Sequence, residues 1–102
     1  MTIRRTLLGI TALAAAALLT ASPAKAEMAS GVVLANTCFS CHGTNGKSRG
    51  DMPSIAGKSK GFIVSSMKNF RSGERPSTVM MRISKGFTDA EIDALASYFS
   101  KK

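Results

Sequence analysis

The sequence is short of nearly everything from which a small core is normally built. Its 102 residues include no tryptophan, one tyrosine and five phenylalanines. Histidine occurs once, at position 42, and cysteine twice, at 38 and 41. A structural zinc site needs four ligands, and the only three Cys and His residues lie in one pentapeptide. No segment alternates with the period of a strand, so a thioredoxin-like use of Cys-x-x-Cys lacks its βαβ frame. A disulfide between residues three apart would close a very small loop and gain little in chain entropy. No internal repeat is present, and no low-complexity tract lies beyond the N-terminal stretch. Acidic residues are few, six against 14 Lys and Arg.

No apolar run reaches the roughly 20 residues of a membrane-spanning helix. The longest, from Thr6 to about Ala21, follows Arg4 and Arg5 and is followed by Pro23 and an Ala24-Lys25-Ala26 small-residue site. This is the pattern of a secretory signal peptide over residues 1–26, removed before Glu27, and it predicts an exported, periplasmic protein. An uncleaved anchor is the alternative, and the short run and Pro23 speak against it. Residues 27–102 then form one domain. A chain of that size buries little apolar surface and usually needs a staple. A large planar cofactor at its centre would make up the shortage of aromatics.

Three of the 14 basic residues (Arg4, Arg5, Lys25) leave with the leader and all six acidic ones stay, so the mature chain carries +5. That excess favours encounter with acidic surfaces, or simply keeps a small protein soluble. Nucleic acid is not a target expected of an exported chain.

The pattern predicts an all-α domain of three to five short helices. Residues 28–37 read as one helix running into the cysteines. From Gly43 to Gly61 the chain is rich in Gly, Ser, Lys and Asn, and reads as loop with room for one helical turn. Lys60 to Ser72 is helical, with Ile63, Met67 and Phe70 on one face and Gly73 as the stop. Glu74 to Gly86 is a Pro-containing loop with an apolar cluster at Val79, Met80, Met81 and Ile83. Thr88-Asp89-Ala90-Glu91 is a capping box, opening a helix whose face is Ile92, Leu95, Ala96 and Phe99.

The chemistry lies in Cys38-Phe39-Ser40-Cys41-His42, the spacing of c-type haem attachment. Two thiols three apart can add to the two vinyl groups of one haem. The histidine that follows is carried beneath the iron as the proximal ligand. With no further Cys or His, the chain offers one covalent haem c through Cys38 and Cys41 and one imidazole, His42. No histidine remains for the sixth position, which leaves methionine. Met28 is at the very start, Met52 is on the His42 side, and Met67 faces a helix core. Met80 and Met81 are free to reach the opposite haem face, and spacing does not choose between them. Pro53 lies where a carbonyl could accept the other N–H of His42 and fix its ring, although an ordinary turn proline is an equal reading of the spacing.

Taken together, the Cys38–His42 motif near the mature N-terminus, the Pro53 loop, the Met80 loop and the C-terminal amphipathic helix resemble class I cytochrome c. The resemblance implies a small all-α fold wrapped around one covalent haem, its first and last helices crossing with Gly31 close to Tyr98 or Phe99. It also implies that the Pro53 carbonyl accepts from His42. Asn36–Thr44, Pro53–Ala56, Phe70–Glu74 and Ser77–Phe87 further resemble the cytochrome subunit of flavocytochrome c sulfide dehydrogenase. That likeness implies Met80 as the iron ligand, and a partner subunit carrying FAD that oxidises sulfide and passes on electrons. Some members of that family carry two haem domains, whereas this chain has one motif. The expected role is therefore electron transfer, with no catalytic residue in this chain and other c-type cytochromes as acceptors. The alternative is a diffusible carrier between redox complexes. A haem sensor with an open sixth position typically carries its motif near the C-terminus of a longer bundle, which this chain does not have. Lys47, Arg49, Lys58 and Lys85 flank the haem loops and are the candidate docking cations.

Overall fold

The computed structural model describes residues 28–102, so the signal-peptide reading of residues 1–26 lies outside the described residues. Four helices follow in order: α1 (Gly31–His42), α2 (Lys60–Ser72), α3 (Met80–Ile83) and α4 (Asp89–Phe99). Short 3-10 turns occupy Thr44–Gly46 and Ser84–Gly86, and no strand occurs among the described residues. The expected all-α architecture is the observed one.

Helix α4 is the spine of the core. Its capping box forms in both directions: Thr88 Oγ1 accepts from the Glu91 N–H at 3.2 Å, and Glu91 Oε2 accepts from the Thr88 N–H at 2.8 Å. Two of the four orphan N–H groups of a helix start are satisfied in this way. The four apolar residues expected on one face, Ile92, Leu95, Ala96 and Phe99, are all buried. Helix α2 begins under a Ser59 cap and stops at Gly73, whose φ of +84° is the left-handed conformation that glycine adopts without strain. It buries Ile63 and Met67 as its spacing predicts. Phe70, in the last turn, does not close the core; the Arg75 guanidinium lies over its ring at 4.7 Å.

Helix α1 crosses α4 in backbone contact. A Cβ at Gly31 would lie 2.8 Å from the Ala94 carbonyl oxygen and 3.6 Å from Tyr98 Cβ. The expected close approach is present, and Ala94 is the nearer partner. Ala35, one turn further along, is fully buried in the same crossing.

The 43–59 segment is a closed loop. The Gly46 carbonyl accepts from the N–H groups of both Ile55 (2.9 Å) and Ala56 (3.1 Å), and the Gly57 N–H donates to the Phe99 carbonyl at 2.9 Å. The Met80 segment differs from its expectation as a loop by forming one helical turn, α3. No Pro or Gly interrupts residues 77–85, and Ser77 Oγ accepts from the Met81 N–H at 2.8 Å. Arg71 then ties α2 to the far end of that segment, donating to the Phe87 carbonyl at 3.0 Å and to Asp89. Lys68 is 3.5 Å from the same carboxylate, and Lys60 pairs with Asp93 at 3.0 Å.

Candidate haem-attachment site

The last turn and a half of α1 carries the attachment motif. Cys38, Cys41 and His42 stand at i, i+3 and i+4, so a helix places all three on one side. Both cysteines are free thiols, Cys38 half-buried and Cys41 exposed. Burial pushes the Cys38 thiol above its ordinary pKa, partly offset by the Thr37 hydroxyl beside it, which keeps it in the neutral S–H form.

His42 is 7% exposed, and its Nδ1 lies 2.6 Å from the Pro53 carbonyl oxygen. A carbonyl can only accept, so Nδ1 is assigned the proton and Nε2 is left with its lone pair free. The 46–56 loop supplies that carbonyl. The Gly46 clamp closes it at the base, and the Ser48 N–H donates to Ser54 Oγ at 2.9 Å beside Pro53. A Cβ at Gly46 would lie 2.7 Å from Ile55 Cγ1 and 2.8 Å from Phe99 Cδ1, so the clamp needs glycine twice over, for space and for its φ of +78°.

The methionines separate by position. Met67 is buried in the core, whereas Met28 and Met52 are exposed. Met80 is half-buried and packs against the same apolar cluster as Cys38. Met81 turns the other way, its ε-methyl group 4.0 Å from where a Gly73 Cβ would stand. Cys38, Cys41, His42 and Pro53 are thus gathered around the end of α1, while Met80 reaches the shared core from α3.

This donor set suits a covalently held haem. Two reduced thiols flank one face, a buried imidazole presents a single free nitrogen, and a thioether comes from a separate element. Of the four candidate docking cations, Lys47 and Arg49 line a cavity of about 580 Å³ that opens beside Cys41 among Ser40, Thr44 and Ser48. Lys58 and Lys85 lie outside it.

One pair of residues was not legible beforehand. The Tyr98 hydroxyl donates to Asn45 Oδ1 at 2.5 Å, across 53 positions of sequence. Asn45-Gly46 signals a turn, but nothing in the sequence names the partner of its side chain.

Residues 26–101 match the cytochrome c family. Over 69 residues the chain is 46% identical to the cytochrome subunit of sulfide dehydrogenase of Chlorobaculum tepidum, an alignment covering 68% of this chain and 63% of that one. It is 31% identical over 80 residues to cytochrome c-554(548) of Halomonas halodenitrificans, covering 74% of this chain and 96% of that one. Among solved structures, cytochrome c4 of Acidithiobacillus ferrooxidans superposes with a TM-score of 0.62 at 35% identity, over 64% of this chain and 38% of that one. The chain therefore spans less than two thirds of the Chlorobaculum relative and nearly all of the Halomonas one. With the attachment turn, the free imidazole nitrogen and a family match running almost from end to end of the described residues, this chain belongs to the cytochrome c family, whose covalently bound haem c transfers electrons.

Proposed function

We propose that the chain is a periplasmic single-haem electron carrier that accepts electrons from a FAD-containing sulfide dehydrogenase subunit. The observation that carries the partner is the 46% identity to the cytochrome subunit of sulfide dehydrogenase. In this reading Cys38 and Cys41 would hold the haem, His42 and Met80 would ligate its iron, and Pro53 would orient His42. Residues 1–26 direct export and are cleaved, so the mature N-terminus is Glu27.

Cys38 and Cys41 would each hold the haem through a thioether, S–H adding across a vinyl C=C so that sulfur joins one carbon and hydrogen the other and no oxidant is consumed. His42 is held through Nδ1 and offers Nε2 to the metal without choosing a new tautomer. Packing of Met80 on the core, with Met81 turned toward Gly73, supports Met80 as the second ligand. Bound haem supplies a one-electron Fe(III)/Fe(II) couple, and thioether ligation raises its potential. Sulfur chemistry is left to the partner, because both cysteines are engaged.

A second reading, the free shuttle, is favoured by the Halomonas cytochrome, 96% of whose length this chain covers. Native purification from the periplasm at low salt distinguishes the two. Near-equal flavin and haem absorbance in one fraction, with sulfide-dependent haem reduction, is the result expected for the subunit. A small haem-only monomer would leave the shuttle.

A further inference from the structure

The hydrogen bond between Tyr98 and Asn45 serves no step of haem attachment, yet it joins the last helix to the turn that follows the iron ligand. The Tyr98 hydroxyl donates to Asn45 Oδ1 at 2.5 Å. Asn45 holds φ at +57°, the one non-glycine residue with positive φ among the described residues. Asparagine tolerates this conformation better than most residues do, but it remains one that must be held by its surroundings. Tyr98 does the holding from a rigid position. Its ring centroid lies 5.2 Å from that of Phe99 and 6.3 Å from that of Phe39, and Lys102 Nζ sits 4.4 Å over its face.

From Asn45 a short, continuous path leads to the ligand. The next residue, Gly46, gives its carbonyl to the N–H groups of Ile55 and Ala56. Two residues before Ile55 stands Pro53, whose carbonyl accepts from His42 Nδ1 at 2.6 Å. The far side of the same loop is anchored to α4 by the Gly57 N–H on the Phe99 carbonyl. Both ends of the loop that orients His42 are therefore referred to α4, one through Phe99 and the other through Tyr98 and Asn45.

We propose that Tyr98 and Asn45 are a positioning pair for the proximal ligand, setting the strength of the His42–Pro53 hydrogen bond and through it the reduction potential of the iron. The inference rests on His42 being that ligand. A firm Nδ1–H···O bond makes the imidazole a more basic donor and favours Fe(III). If the 44–46 turn loosens, the Pro53 carbonyl drifts, Nε2 becomes a poorer donor, and the couple shifts toward Fe(II). A tyrosine that merely satisfies its hydroxyl would leave the iron indifferent to its loss.

The test uses the holoprotein with Tyr98→Phe, which keeps the ring, Asn45→Gly, which keeps the left-handed turn, and the double variant. Two quantities are read: the Fe(II)/Fe(III) ratio at a fixed ambient potential, and the solvent exchange of the His42 Nδ1 proton by NMR. Each single variant should raise the ratio about threefold and speed the exchange about tenfold, at the low end of what support around a metal ligand is usually worth. The double variant should do no more than either single one, because both remove the same bond. Ratios and exchange rates equal to wild type in well-folded single variants overturn the proposal, as does full additivity in the double. If Tyr98→Phe does not fold, Asn45→Gly alone decides. A wild-type protein whose His42 ring resonances carry no shift from the iron overturns the ligand assignment, and this inference with it.

Discussion

At the scale of the residue, the decisive asymmetry is between two neighbouring methionines. Met80 packs on the apolar core and Met81 leans toward Gly73. Replacing Met80 by Ala should therefore open the iron to carbon monoxide and abolish the low-spin His/Met spectrum. Met81→Ala should leave that spectrum in place. A CO-binding spectrum in the second variant alone would reverse the assignment. His42 belongs to the same scale: one carbonyl fixes its tautomer at 2.6 Å. Sequence spacing had put Pro53 near the ring but could not distinguish an acceptor from an ordinary turn, since the direction of a carbonyl depends on how the whole 46–56 loop is closed.

Among the elements, the crossing of α1 with α4 and the start of α4 carry the clearest energetic consequences. Gly31 is the first residue of α1, so Gly31→Ala gains less than the about 1 kcal/mol of helix propensity that applies in a helix interior. The added Cβ, however, would meet a backbone oxygen at 2.8 Å, and a backbone cannot rotate away as a side chain can. Overpacking costs about 1–3 kcal/mol, so net destabilisation is expected, visible as a lower denaturation midpoint with an unchanged m-value. Thr88→Ala removes one side of the capping box and should cost about 1 kcal/mol in the same experiment. The capping box and the apolar face of α4 were readable because they depend on residues three and four apart. The α3 turn was not, because it lies between Pro76 and Gly86, which both signal loop, and the Ser77 hydroxyl that accepts the Met81 N–H stands three residues before it.

For the molecule as a whole, exposed charges tie α2 to α4 around the methionine segment. The Arg71 hydrogen bond, then the Lys68 charge, hold the Asp89 carboxyl below its ordinary pKa. A depressed folded pKa means a contribution that is complete above the ordinary carboxylate range, about pH 4. It is lost as pH falls through the lower folded value. Thermal midpoints should thus decline in acid, and Asp89→Asn should flatten that decline while slightly lowering the midpoint at pH 7. Added salt should narrow the difference between the two proteins, since Asp89 is open to solvent. The +5 charge that residues 27–102 would carry after the proposed cleavage acts over the whole molecule too. Second-order rates of haem reduction by an acidic donor should fall as ionic strength rises, and a salt-independent rate would argue for a partner already bound.

The chemistry and the local order are written along the chain. Haem attachment follows from five consecutive residues, and the helices follow from apolar spacing and their capping and stop residues, all of which act over a few positions. Which atoms meet is a matter of how the elements pack. That packing set the Pro53 carbonyl on His42, sent Met80 and Met81 in different directions, and joined Tyr98 to Asn45 across 53 residues. Such contacts depend on the crossing of α1 and α4 and the closure of the loops between them, and no spacing along the chain encodes the direction in which a carbonyl or a side chain then points.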